Sequence, residues 1–283
     1  MSGSSSVPED QLPNQVGKYI HVFGIGIQNT LVYRMNFLVK SSFALVPLTG
    51  TLFLWRAIYQ GGVTGAAIDG YTLSGMISYY LLVTLVDALT AVAEDDWQIA
   101  ADIKDGNISQ FLLKPIDYFW YRLCLYLSGR AIYTTVALIP VAAFIVYLHR
   151  FFEGPATVGA LLAAVAAALM GGVLQFLIAY SMALLAFWVL DVSTFIFLQF
   201  ALEYLASGHL FPLDILPKGL VTILNYTPYP YLLSFPIGAY MGRIEGAALV
   251  KGFVIQGAWL IVMFFLSQTV WRRGLRQYTA AGG

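Results

Sequence analysis

Six long apolar stretches, separated by short polar ones, fill most of the chain: about 37–58, 71–93, 119–148, 157–190, 192–210 and 252–271. Each is long enough to cross the hydrocarbon layer of a bilayer, roughly 30 Å thick. Hydrocarbon offers no hydrogen bonds, so each stretch is expected to satisfy its own backbone as an α-helix. The expected fold is therefore all-α: a polytopic membrane protein with six transmembrane helices.

Two further segments carry helical pattern without spanning length. Over 18–34, Tyr19, Val22, Phe23, Leu31 and Val32 share one stripe, with Lys18, Gln28 and Asn29 off it. That pattern predicts an N-terminal helix lying in the membrane interface, although Gly24 and Gly26 weaken it. Between the fifth and sixth stretches, residues 211–251 hold five of the eleven prolines: Pro212, Pro217, Pro228, Pro230 and Pro236. Proline at that density prevents one long helix. The apolar pieces left, 220–224 and 231–235, predict short re-entrant helices, with Tyr226, Tyr229 and Tyr231 at headgroup depth.

The fourth stretch opens on small residues four apart, Gly159, Ala163, Ala167 and Gly171, beside Ala160, Ala164, Ala168 and Gly172. Such a seam lets helix backbones approach closely where lipid removes the hydrophobic drive for association.

Composition sharpens the membrane reading. The chain is 59% hydrophobic and 11% charged, with mean hydropathy +0.74, whereas a soluble domain carries about 25% charge. A formal net charge of zero argues against a nucleic-acid partner. The single cysteine, Cys124, excludes an intrachain disulfide and is expected to be a small buried side chain. The polar start, residues 1–17, lacks a basic-then-apolar leader and reads as a disordered cytosolic tail.

An even number of spans puts both termini on one side. Placing Arg272, Arg273 and Arg276 in the cytosol also puts Lys18, Arg34, Lys104, Lys114 and Arg122 there, against Arg56, Arg150, Lys218, Arg243 and Lys251 outside. The bias favours cytosolic termini in a cell (inner or plasma) membrane. The polar segment 94–115, with five of the fifteen acidic residues, is then cytosolic. Its mixture of Trp97, Ile103, Ile108 and Phe111 to Leu113 with charges fits docking on a soluble partner better than a solvated loop. The proline-rich segment is extracytosolic.

Chemistry is sparse. There is no Walker A, HExxH, GxSxG or CxxC motif. His21, His149 and His209 lie far apart, and a helix through Glu203 and His209 would put them on different faces. No catalytic residue and no metal site is expected. The charges inside spans are Asp87, Arg130, Asp191 and Glu203. Asp87 and Asp191 fall near span ends where water reaches, and Arg130 is expected to pair with a carboxylate of the second span. Glu203, near the middle of the fifth span, is a hydrogen-bonding or substrate-facing residue.

These residues resemble the permease subunits of ABC exporters of the type-2 (ABC-2) family, in particular its small stand-alone six-helix permeases. The resemblance rests on Ile103-Lys104-Asp105-Gly106-Asn107-Ile108-Ser109-Gln110-Phe111-Leu112-Leu113-Lys114-Pro115, and on Phe211-Pro212-Leu213-Asp214-Ile215-Leu216-Pro217 followed by Pro228-Tyr229-Pro230-Tyr231 and Phe235-Pro236. The third element is the N-terminal stretch ending at Tyr33-Arg34. The resemblance implies a permease domain over 18–274 and a cytosolic tail over 275–283. It implies two permeases, identical or sister chains, among membrane lipids, each docked on a separate cytosolic ABC ATPase that uses ATP and magnesium, with no cofactor on this chain. It assigns ATPase coupling to Asp102, Lys104, Asp105, Gly106, Asn107, Leu112, Lys114 and Pro115. It makes Asp87 and Glu203 candidates for the translocation path. It gives the outer gate to Phe211, Pro212, Asp214, Pro217, Pro228, Pro230 and Pro236. A secondary transporter, with internal repeats and proline-broken spans, and a membrane-embedded lipid-modifying enzyme are the alternatives; the proline breaks are expected to lie outside the spans.

Overall fold

The structure is a computed structural model and describes residues 15–32, 34–61, 68–92 and 95–278. The tail before residue 15, Tyr33, Glu94 and the last five residues lie outside the described residues, as do the side chains of Val16 and Arg34. In chain order the helices are α1 Gln15–Val32, α2 Arg34–Gly61, α3 Leu73–Thr90, α4 Asp95–Lys104, α5 Ile108–Leu112, α6 Tyr118–Tyr147, α7 Val158–Ala183, α8 Ser193–Ala206, α9 Lys218–Leu224, α10 Ser234–Tyr240 and α11 Gly246–Gln277. No strand occurs among the described residues. Among the described residues, five segments are long and apolar enough to cross a membrane: Met35–Gly61, Leu73–Lys104, Tyr118–Tyr147, Val158–Phe187 and Gly246–Gln277. The chain is thus an all-helical, multi-pass membrane protein.

Helix starts follow local chemistry. Thr72 accepts the Gly75 N–H at 2.9 Å to open α3, Asp117 accepts that of Trp120 at 3.2 Å to open α6, and Thr157 accepts that of Ala160 at 3.0 Å to open α7. Pro47 and Pro140 lie inside α2 and α6, so proline is not confined to the connections as the sequence reading expected. Both helices run on past them, since each loses only one backbone donor and lipid keeps the remaining bonds strong.

The core gathers around α7. Its seam is used mainly in its second half, where Ala167, Ala168, Gly171 and Gly172 are buried. A side chain at Gly171 would press on the Leu232 carbonyl at 3.2 Å, and one at Gly172 on the Tyr126 hydroxyl at 3.4 Å. Tyr126 donates to Thr90 O at 2.6 Å and also lies 3.0 Å from Gly172 O, joining α3, α6 and α7. Buried Gln256 of α11 donates to Ala167 O at 2.8 Å and Tyr231 O at 2.9 Å. With few apolar gains available in lipid, such polar ties and close backbone approaches hold helices together.

Helix α1 is not a separate surface element. It lies along α6, with Lys18 Nζ donating to Pro115 O at 3.4 Å and Gly26 so close to Ser128 that a side chain there would overlap the serine hydroxyl. Val22 is buried, while Leu31 and Val32 of the same stripe are exposed. The glycine that weakened the interfacial pattern is what permits this contact. Cys124 is half-buried rather than buried.

The largest departure concerns the fifth stretch. Helix α8 stops at Ala206, and 14 residues rise only about 21 Å. Gly208 adopts φ +103°, and the closeness of the Tyr79 hydroxyl and Ser234 leaves no room for a side chain there. The next residues run on as non-helical backbone whose carbonyls are met by neighbours: Ser207 O by the Ser234 N–H at 3.1 Å, Gly208 O by the Tyr79 hydroxyl at 2.7 Å, and Leu210 O by the Tyr80 hydroxyl. Irregular backbone is tolerated at membrane depth only when protein satisfies it in this way.

Candidate functional site

The molecule has two chemically distinct ends. At one, Tyr118 at the start of α6 stacks on Trp271 near the end of α11, with centroids 5.2 Å apart. The same end holds Gly106, whose nearest neighbour is the Tyr278 hydroxyl, and the Lys18–Pro115 contact. At the other, Thr72 donates to Glu153 at 3.2 Å, the Ala156 N–H donates to Tyr240 O at 3.2 Å, and Tyr71 donates to Asp214 at 3.1 Å.

The first end carries a two-helix projection, α4 and α5, joined at Asp105-Gly106-Asn107. Gly106 has φ +78°, a left-handed conformation that costs an L side chain about 1–2 kcal/mol. Its carbonyl accepts the Ser109 hydroxyl at 2.6 Å, which fixes the turn. One face of the projection is sealed into the bundle through Ile99, Ala100, Ile103 and Ile108. The other is open: Leu113 is 88% exposed, Trp97, Leu112, Lys104, Asp105, Lys114 and Pro115 are exposed, and Lys114 lies over the Phe111 ring at 5.0 Å.

Asp102 is turned inward. It pairs with Arg122 of α6 and accepts the Tyr118 hydroxyl at 2.8 Å, while Arg122 Nε donates to Tyr118 at 2.9 Å and its Nη1 to Gln98 at 3.2 Å. This Asp102–Tyr118–Arg122 group fastens the projection to α6.

The two path candidates do not meet each other. Glu203 of α8 accepts the Gln175 Nε2 of α7 at 2.7 Å and is turned into the bundle. Asp87 lies 3.1 Å from His209 Nε2, and His209 Nδ1 lies 2.7 Å from the Ser207 hydroxyl. The carboxylate can only accept, so Nε2 carries a proton to it. The His209 ring also stacks on Tyr204 at 4.9 Å. Arg130, expected to pair with the second span, instead lies 4.8 Å over the Tyr133 ring; Asp87, Lys40 and Arg130 line one cavity of about 230 Å³ between α2, α3 and α6. Sequence reasoning missed the Asp87–His209 pair, since 122 residues separate its members.

The gate candidates divide into two. Pro212, Pro230 and Pro236 are buried, and α10 is wedged against α7. Phe211 and Pro228 are half-buried, whereas Pro217, at the start of α9, and Asp214 are exposed. Asp214 anchors this region: besides Tyr71 it lies 3.5 Å from Arg243 Nη1, and the Arg243 guanidinium sits 3.3 Å over the Tyr71 ring. Burial and the Asp214 carboxylate push the Tyr71 phenol above its ordinary range. No group of three or more His, Cys, Asp or Glu side chains that could hold a metal occurs among the described residues.

No curated protein and no solved structure matches the chain. The family model described as ABC-2 family transporter protein matches residues 45–282, from α2 to beyond the end of α11, and includes the projection, α8 and the proline-rich segment. The chain belongs to the ABC-2 transporter family.

Proposed function

We propose that this chain is the permease subunit of an ATP-driven exporter, forming half of a translocation path and moved by a separate cytosolic ATPase. The observation that carries the proposal is the two-sided projection: an inner face sealed into the bundle and tied to α6 through Arg122, and an outer face presenting Leu112, Leu113 and Trp97 among Lys104, Asp105 and Lys114. A rigid surface of that kind receives a push from a soluble partner and passes it on as a rigid-body shift.

In this reading ATP and magnesium bind the partner, not this chain. Six crossings put both termini in the cytosol. The sixth comes from the run between Ser193 and Asp214, which starts just after Phe187, itself in contact with Tyr278, and ends at Tyr71. A second copy or a sister permease completes the path, with α3 and α8 beside it and α9 and α10 as the outer gate, among the lipids of the cell membrane.

The test is co-purification with the cognate Walker-type ATPase. Leu113→Glu combined with Asp105→Lys is expected to abolish ATPase capture and transport-linked hydrolysis while the protein still inserts in the membrane. Undiminished capture would overturn the assignment.

A further inference from the structure

A cavity of about 670 Å³ opens between α9, α10 and the start of α11, at the Asp214 end of the bundle. That volume lies in the range of small-molecule sites, about 300–1,000 Å³. Its charged side chains are Asp214, Arg243 and Lys251. Asp214 is already engaged by Arg243 and Tyr71, and Lys251 has no ion-pair or hydrogen-bond partner among the described residues. The cavity therefore carries one cation in excess. Arg243 is held against Tyr71 and Asp214, and a guanidinium has five N–H donors, so some remain for a ligand.

The floor is fixed. A side chain at Gly252 would overlap the Phe235 ring, and one at Gly238 would lie 2.7 Å from Ile244. The walls and rim are in part apolar: Val221 on α9, Ile244, and Ala248 and Ile255 on α11 line the cavity, with the exposed Tyr226 beside them. A free inorganic anion needs cations but no apolar rim. A lipid needs both, a cationic pocket for its head and apolar walls for its chains.

We infer that this cavity binds the phosphate-bearing headgroup of an anionic lipid, with the acyl chains lying over α9 and the first turns of α11. The inference requires only that this end of the bundle meets a membrane surface; it does not depend on transport or on an ATPase.

The experiment uses the full-length chain, without ATPase, in phosphatidylcholine nanodiscs containing a minor fraction of phosphatidylglycerol, with retained lipid counted by native mass spectrometry. One phosphatidylglycerol per chain is expected to be retained in preference to phosphatidylcholine. Lys251→Gln should weaken that retention about tenfold, and Lys251→Arg should keep it. Ala248→Trp, which fills the cavity and leaves its charges, should also abolish it. Excess inorganic phosphate should not displace the lipid. Equal retention of both lipids, retention unchanged in Lys251→Gln and Ala248→Trp, or displacement by inorganic phosphate would each overturn the inference.

Discussion

His209 reaches across to Asp87 at 3.1 Å and joins the segment just after α8 to the last turn of α3. The same imidazole takes the Ser207 hydroxyl on its other nitrogen, so it fixes the point at which α8 gives way to irregular backbone. Asp87→Ala and His209→Ala should each lower stability in detergent. The double variant should cost less than the sum, with a coupling of about 1.5 kcal/mol or more, as for a hydrogen bond to a charged group. Additive losses in that cycle would show the pair to be energetically idle.

Asp102→Ala should destabilise by about 3 kcal/mol, because it leaves the buried Arg122 guanidinium without its counter-charge. Asp102→Ala with Arg122→Met should recover most of the loss. Thermal midpoints of the purified single and double variants decide it.

Gly106→Val forces a β-branched residue into a left-handed backbone. A loss of about 1–2 kcal/mol is expected from the conformation alone. The readout is hydrogen exchange, with faster exchange confined to α4, the turn and α5.

Glu203→Gln should be tolerated, since an amide oxygen still accepts from Gln175. Glu203→Leu strands the Gln175 amide and should cost about 1–3 kcal/mol. Equal midpoints for the two variants would mean that the contact contributes nothing.

Asp191 accepts the Ser193 hydroxyl and N–H at the entry to α8, which holds its carboxyl below the usual carboxylate range. A lowered folded value means the carboxylate stabilises the fold above the ordinary value, about pH 4, and that the benefit fades as pH falls through the lower folded value. The difference in melting midpoint between the native chain and Asp191→Asn should therefore be present at neutral pH and vanish on acidification.

Much of the architecture was legible because lipid enforces it. Uninterrupted apolar runs can only be helices, and α6 begins and ends within one residue of its expected bounds, 119–148. The second half of the small-residue seam of α7 also read correctly as a packing surface, whereas Gly159 at its start is exposed. What failed depends on distant partners. Whether a helix continues through Ser207-Gly208 is decided by Tyr79 and Ser234, and nothing near residue 208 announces them. The inward turn of Asp102 was equally hidden, because its partner Arg122 is 20 residues further on. Charge alone matches Arg130 to a carboxylate, whereas its guanidinium lies 4.8 Å over the ring of Tyr133, three residues along the same helix.

The run from Ser207 to Leu210 has a mechanical meaning. An ordinary transmembrane helix owns its hydrogen bonds and yields them only by unwinding. Here the carbonyls are held on loan from side chains of α3 and from Ser234 of α10, so the lenders can be exchanged one at a time while the helix below stays wound. A chain assembled this way has a joint at a set point after α8, and α3 and α10 are the two arms that meet there.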